Sequence, residues 1–208
     1  LRALGAELIP IELAFARHAV ATYQLISSCE AASNLARYDG LRYGPRERGD
    51  GTLQGSIAAT RGAGLGREAR RRVLLGTFAL SQGEREAWLE RAARVRRLVR
   101  DELSACFERI DVIVGPTVPE PAFRLGERLD DPLAMYACDA LTAPASLAGL
   151  PAASVPCGSV EEDGVALPLG LQLVGAPLAD ARALAIARCF QSATAHHRAQ
   201  PPLCGSLS

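Results

Sequence analysis

Residues 145–158 read ASLAGLPAASVPCG, and how this stretch is divided decides the fold. It contains a Gly-Pro turn and an apolar strand. Working outward, DVIVGP (111–116) is a short buried strand that ends at a proline turn, and GLQLVG (170–175) is a further strand. Between them lie the loop PTVPEPAF and a short helix around Asp131 to Cys138. LADARALAIARCFQSA (178–193) has the spacing of an amphipathic helix, and the tail HHRAQPPLCGSLS reads as frayed.

Upstream, AELIPIEL (6–13) reads as a strand with Pro10 at an edge or bulge. Helical spacing follows over 14–29, then the polar stretch EAASNLARYDGLRYG (30–44), then a Gly- and charge-rich loop over 44–56. REARRRVLLGTFAL predicts a helix from about Arg67 to Leu80, and another runs from about Glu84 to Arg109. In that second helix Trp88, Ala92, Val95, Val99, Leu103, Cys106 and Ile110 recur in steps of three and four, so one face packs inward. Its other face is Arg-rich, either a solvated face or a surface for RNA or a partner. Strands alternating with helices predict an α/β fold, a mixed sheet covered by helices. No internal repeat or low-complexity linker divides the chain.

The chain has 208 residues, enough for one sizeable core. Its 23 basic and 23 acidic residues cancel, which argues against a general electrostatic trap for nucleic acid or anionic membrane. All the basic residues are arginines, so no lysine can act as base or Schiff-base former. The six cysteines form no CxxC pair and fit no zinc spacing with His18, His196 and His197. They read as mostly buried, reduced core residues, which predicts a cytoplasmic protein. No apolar run approaches the ~20 residues that span a bilayer, and no signal peptide is read. The opening LRALGAELIPIEL reads as a helix end, a Gly turn and a strand, as in a chain that starts mid-fold.

Common catalytic motifs are missing. No GxSxG, HExxH, Walker A or GxGxxG opens a helix, and GAGLG (62–66) follows helix instead of strand, which makes it a plain turn. Two residues stand out. Arg72 has small neighbours at helical spacing in Ala69, Gly76 and Ala79, which leave room for a ligand, or it is a surface Arg with its stem along the protein. Asp139, between apolar MYAC and ALTAP, is either a helix cap or a buried cation binder.

In order along the chain, EAASNLARYDGLRYG, GREARRRVLLGTFALSQG, DVIVGPTVPEPAFRLGE, DPLAMYACDALTAPASLAGLPAASVPCG and LPLGLQLVG resemble the C-terminal half of an amidase signature enzyme. The nearest group is the A subunits of the tRNA-dependent glutamyl/aspartyl amidotransferases, and SNLARYDGLRYG is the most specific block. The resemblance implies a C-terminal half-domain over 1–195 with a tail over 196–208. It also implies that a Ser nucleophile, a second Ser and a Lys base lie in an N-terminal half. A lysine-free chain cannot supply that base, and an unactivated Ser hydroxyl is a poor nucleophile. The chain is therefore expected to be inactive alone.

By the same resemblance, Arg72 would bind the α-carboxylate of glutamine, Asp139 its α-ammonium, and Tyr23 would add a phenol contact. The family commonly shows two adjacent aromatics there, whereas Tyr23 is followed by Gln24. The implied partners are glutamine, the N-terminal half, subunits B and C, and misacylated tRNA, with no membrane. No cofactor or metal is expected in this chain, ATP and Mg being used by the partner subunit. Another amidase signature hydrolase and a non-catalytic binding or assembly module are the alternatives.

Overall fold

The structure is a computed structural model that describes residues 1–81, 83 and 86–200. The chain divides into two compact units, one of residues 1–20 with 97–208 and one of residues 21–96.

The first unit is built on a three-stranded sheet: β1 (Val112–Pro116), β2 (Ala152–Glu162) and β3 (Val165–Gly175), in the order β1-β3-β2. Both pairings are antiparallel, with Val114 opposite Leu173 and Ser154 opposite Gln172. The mixed sheet expected from the sequence is thus corrected to an antiparallel one. The cause is the connection Asp163–Gly164. Both residues have positive φ, 50° and 77°, as a type I′ turn demands, and a two-residue turn can join only antiparallel neighbours. The hairpin carries a bulge between Pro156 and Gly158. Pro168 lacks an N–H, yet costs β3 nothing on its β1 side, because β1 pairs only with residues 171–175.

Strand alternation gives the sheet two different faces. Val112, Val114, Val155, Leu171 and Leu173 share one, where Ala187, Ile186 and Phe190 of α7 (Asp180–Ala193) pack against them. Leu173 has no exposed surface. Ser154, Gly170 and Gln172 lie on the other face. Two short helices precede the hairpin. α5 (Pro132–Ala137) is capped by Asp131, whose Oδ1 accepts from the N–H groups of Leu133 and Ala134. α6 (Ala143–Ala148) ends at Gly149 in the left-handed region. It occupies part of what the sequence presents as turn and strand.

The second unit holds most of α1 (Ala19–Leu35), then α2 (Leu53–Gly64), α3 (Arg67–Leu80), a π turn (Glu86–Glu90) and the start of α4 (Arg91–Cys106). α3 matches its expected bounds. Along α4, Ala92, Val99 and Leu103 are buried as the spacing predicts. Trp88 is exposed, because the wider π turn rotates it away from the α-helical register of that face. Residues 84 and 85, where that helix was expected to begin, lie outside the described residues.

Three further expectations need correcting. Residues 6–13 form no strand. Pro10 cannot donate to a ladder, and an open cleft of about 380 Å³ separates residues 5–11 from β1. Of the five described cysteines, all free thiols, only Cys29 is buried, and Cys189 on α7 is exposed. β1 is half-buried, not buried, because it is an edge strand. In the expected tail, residues 196–198 form a 3-10 turn with the His196 ring stacked on Phe190, while Cys204 and the rest of residues 201–208 lie outside the described residues. No described helix is long and apolar enough to cross a membrane.

Candidate functional site

EAASNLARYDGLRYG is the end of a helix and a loop. α1 continues to Leu35, and α2 clamps the loop beyond it. Arg61 of α2 donates through Nη1 to the carbonyls of Leu35 (2.7 Å) and Tyr38 (3.3 Å), satisfying acceptors that the end of α1 leaves open. Thr60 Oγ1 accepts from the Glu47 N–H, and Ser56 Oγ donates to the Glu47 carbonyl. Gly40 has φ 80° and lies so close to Thr60 that a Cβ would collide with that side chain. The stretch is therefore held to α2 through its backbone carbonyls, and within it Asp39 Oδ1 accepts from the Leu41 N–H.

Within the same unit, Tyr23 and Arg72 come together. Arg72 on α3 donates through Nε to Glu68 Oε1 (2.9 Å), one turn earlier. Its Nη1 reaches Tyr23 Oη (3.3 Å) and Ser27 Oγ (3.5 Å) on α1. The guanidinium carbon stands 5.9 Å from the centre of the Tyr23 ring, at the outer reach of a cation–π contact. The Arg72 side chain is 27% exposed. The Tyr23 hydroxyl first, and Glu68 second, push its pKa further above the usual arginine range. It is a permanent cation with donors at an accessible edge, and Nη2 makes no hydrogen bond among the described residues. Such an edge suits a carboxylate.

The expectation that small neighbours give Arg72 room is corrected at Gly76. A Cβ there would overlap the carbonyl of Ser28 and crowd Ala32. The missing side chain is used by the close approach of α1. Moving from Arg72 to Gly76 on α3 follows Tyr23 and Ser27 to Ser28 and Ala32 on α1, so the two helices run parallel here.

Asp139 belongs to the other unit. It lies in the turn between α5 and α6 and does not cap a helix with its side chain. Its carbonyl accepts from the N–H groups of Thr142 (3.2 Å) and Ala143 (2.8 Å), and its half-buried carboxylate makes no hydrogen bond or ion pair among the described residues. The residues on either side of it are anchored. Cys138 Sγ accepts from Arg128 Nη1 at 2.8 Å, and Arg128 also pairs with Glu120 and stacks on Phe123, 4.3 Å from the ring centre. The Leu141 carbonyl accepts from Gln172 Nε2 at 2.9 Å. A free carboxylate in a fixed turn can receive a cation.

Sequence reasoning did not identify Ser27, Glu68, Arg128 or Gln172. The i,i+4 spacing of Glu68 and Arg72 is the one signal that was readable. Ser27 and Gln172 meet their partners across long stretches of chain, and Arg128 meets Glu120, Phe123 and Cys138 within ten residues but through irregular backbone that no periodicity marks. Among the described residues no group of three or more His, Cys, Asp or Glu side chains is placed to hold a metal ion.

The family model described as Amidase matches residues 1–184. The A subunit of glutamyl-tRNA(Gln) amidotransferase of Bacillus velezensis is 48% identical over 200 residues, which are 96% of this chain and 40% of that protein. Its counterpart from Bacillus pumilus is 47% identical over 203 residues, 98% of this chain and 41% of that protein. The crystal structure of the glutamyl-tRNA(Gln) amidotransferase A subunit from Thermotoga maritima superposes with a TM-score of 0.60 at 35% identity, covering 89% of this chain and 34% of that one. A 6-aminohexanoate cyclic dimer hydrolase shares the fold at 18% identity, with a TM-score of 0.67 over 98% of this chain and 41% of its own. The chain thus spans about 40% of the length of the curated relatives it matches. With the family model matched over most of its length, the chain belongs to the amidase family.

Proposed function

We propose that this chain is the glutamine-binding portion of the ammonia-supplying subunit of a tRNA-dependent amidotransferase. The observation that carries the reading is the Arg72 cluster, an accessible cation braced by Tyr23 and Glu68, in a chain 48% identical to such a protein. Arg72 takes the α-carboxylate of glutamine, Tyr23 orients the guanidinium and borders the ligand, and Asp139 takes the α-ammonium. A zwitterion needs both charges answered, since burying either one unpaired is costly.

Residues 1–195 act as the C-terminal half of an amidase domain, with 196–208 as a tail. Hydrolysis proceeds on a Ser activated by a Lys in the other half, and an oxyanion hole stabilises the tetrahedral intermediate. This chain has no lysine, so it supplies substrate binding and not the base. The released ammonia passes to a partner subunit, which uses ATP and Mg to amidate Glu or Asp misacylated onto tRNA in the cytoplasm, within a complex that includes subunits B and C.

Two measurements test this. The 208 residues alone release no glutamate from glutamine, and turnover at the level of a complete amidase would overturn the division of labour. In the full-length protein, Arg72→Ala or Asp139→Ala weakens glutamine binding by about a hundredfold, the scale of removing one partner of a desolvated ion pair. A simple apolar amide is unaffected. Variants that hardly change ligand binding or turnover would instead favour a hydrolase of simpler amides.

A further inference from the structure

On the face of the sheet opposite α7, a polar group lies beside the apolar Ile113, Ala152 and Val174. Thr117 follows β1, and its backbone N–H donates to the Gly170 carbonyl at 2.9 Å. Its hydroxyl shares a 2.6 Å hydrogen bond with Ser154 Oγ on β2. This pair sits directly over Gly170 of β3, where a Cβ would lie 2.6 Å from Thr117 Oγ1 and 2.8 Å from Ser154 Oγ. Two residues along β3 on the same face, opposite Ser154, comes Gln172. Its amide leaves the sheet and donates to the carbonyl of Leu141, two residues after Asp139. Thr117, Thr142, Ser146, Ser154 and Gln172 line a cleft of about 210 Å³.

The turn that carries Asp139 is anchored on its far side by α6, where Ala143, Pro144, Ala145 and Leu147 are buried, and Gln172 adds a directional bond from the sheet. The turn lies between two six-residue helices, α5 and α6, each too short to be stable on its own. Its internal bonds, Thr142 and Ala143 to the Asp139 carbonyl, fix its shape but not its place on the sheet. Arg128 restrains the preceding residue, Cys138, from the loop side. Gln172 is the side chain of the central strand that bonds the turn itself. β3 is the most restrained strand of the sheet, paired on both sides over residues 171–174.

We infer that Gln172 is a positioning residue: its amide registers the Asp139 turn against β3 and thereby sets where the ammonium-binding carboxylate stands. The inference rests on the glutamine-binding reading for its consequence, but not for the physical link between Gln172 and the turn. A side chain of the same length with a donor is required. Leu has the bulk without the donor, Glu replaces the donor with a charge that repels the carbonyl, and Asn falls one methylene short.

Hydrogen exchange on the full-length protein tests the link. In Gln172→Leu the amides of Thr142 and Ala143 should exchange at least tenfold faster, while that of Leu173 in β3 is unchanged. Gln172→Asn should not restore protection. Ser154→Ala, on the same face, should leave the turn protected. Unchanged protection in Gln172→Leu, or equal loss across β3 and the turn, overturns the inference.

The functional consequence is read with glutamine and with glutaramate, its analogue without the α-ammonium. Gln172→Leu should weaken glutamine binding about tenfold and leave glutaramate binding unchanged, with kcat for glutamine kept. Equal weakening of both ligands marks a merely structural role and overturns the inference. If the wild-type protein binds no glutamine while the exchange result holds, the glutamine reading falls and the placement of the turn by Gln172 stands.

Discussion

The sheet unit and the helical unit solve the packing problem in different ways. In the sheet unit the buried residues are mostly apolar: Leu173 is fully buried beneath α7, with Val155 and Ala187 beside it, and Leu147, Leu150 and Val174 are buried as well. In the helical unit the buried residues are small or polar: Thr22, Gln24, Ser28, Ser56, Thr60, Gly76 and Ala79. Its helices approach through missing side chains and are joined by hydrogen bonds from side chain to backbone. The first arrangement gains mostly from apolar burial, the second from close fit and a few side-chain-to-backbone hydrogen bonds, with Gln24 Nε2 and Ser28 Oγ buried without a hydrogen-bond partner among the described residues. This division suits a site. The Arg72 cation and its polar neighbours belong to the unit whose packing already relies on polar groups.

The comparison can be broken by substitution. The largest effect is expected at Leu173→Ala, about 3 kcal/mol of lost stability from transfer and cavity together. Hydrogen exchange should show it as faster opening of the β2–β3 amides. Gly76→Ala comes next, at about 2 kcal/mol, because the added methyl meets backbone carbonyl and not a movable side-chain tip. Thermal unfolding of this variant followed by fluorescence of Trp88, the chain's one tryptophan, reports on the helical unit itself. A Gly76→Ala protein as stable as wild type would mean that α1 and α3 do not meet as described.

Thr60→Val should cost about 1 kcal/mol, since it keeps the shape and leaves the Glu47 N–H without its acceptor. Urea unfolding checks it, and a silent substitution would show that the polar clamp on the loop contributes no stability. The smallest effect concerns no stability at all. Burial, and then Glu30, push the Cys29 thiol above its ordinary pKa, so less thiolate exists at any given pH. In timed alkylation at pH 8 with mass-spectrometric readout, Cys29 should lag the exposed Cys189. Equal rates would mean that the α1 face carrying Cys29 is open.

The same contrast explains what could be read from sequence. Helices such as Arg67–Leu80 and the α4 face announce themselves by period, because spacing alone decides which residues turn inward. The bounds of α3 and the buried trio Ala92, Val99 and Leu103 came directly from it. The antiparallel sheet did not. Its decisive signal, the Asp163–Gly164 pair, is only two residues long and follows Glu161 and Glu162, and strand alternation with helices outweighed it. Residues 6–13 have strand composition without a partner edge, and pairing is not a local property.

Arg72 and Tyr23 were placed together by resemblance, and α1 and α3 bring them within hydrogen-bond reach. Gln172 was invisible, because nothing local distinguishes an outward amide on a strand from one that ties down a distant turn. Gly76 was read as space for a ligand, since a sequence does not reveal which helix fills the gap.

The Asp163–Gly164 turn also bears on the order in which the sheet forms. β2 and β3 are neighbours in sequence, and pairing them closes only a two-residue loop. β1 must cross all of α5, α6 and the hairpin before Pro116 meets Leu171. Loop-closure entropy therefore favours the hairpin as the early structure and leaves β1 to dock last. Folding and unfolding rates across a denaturant series should show it. Replacing Gly164 with Val should slow folding, whereas Val114→Ala in β1 should chiefly hasten unfolding.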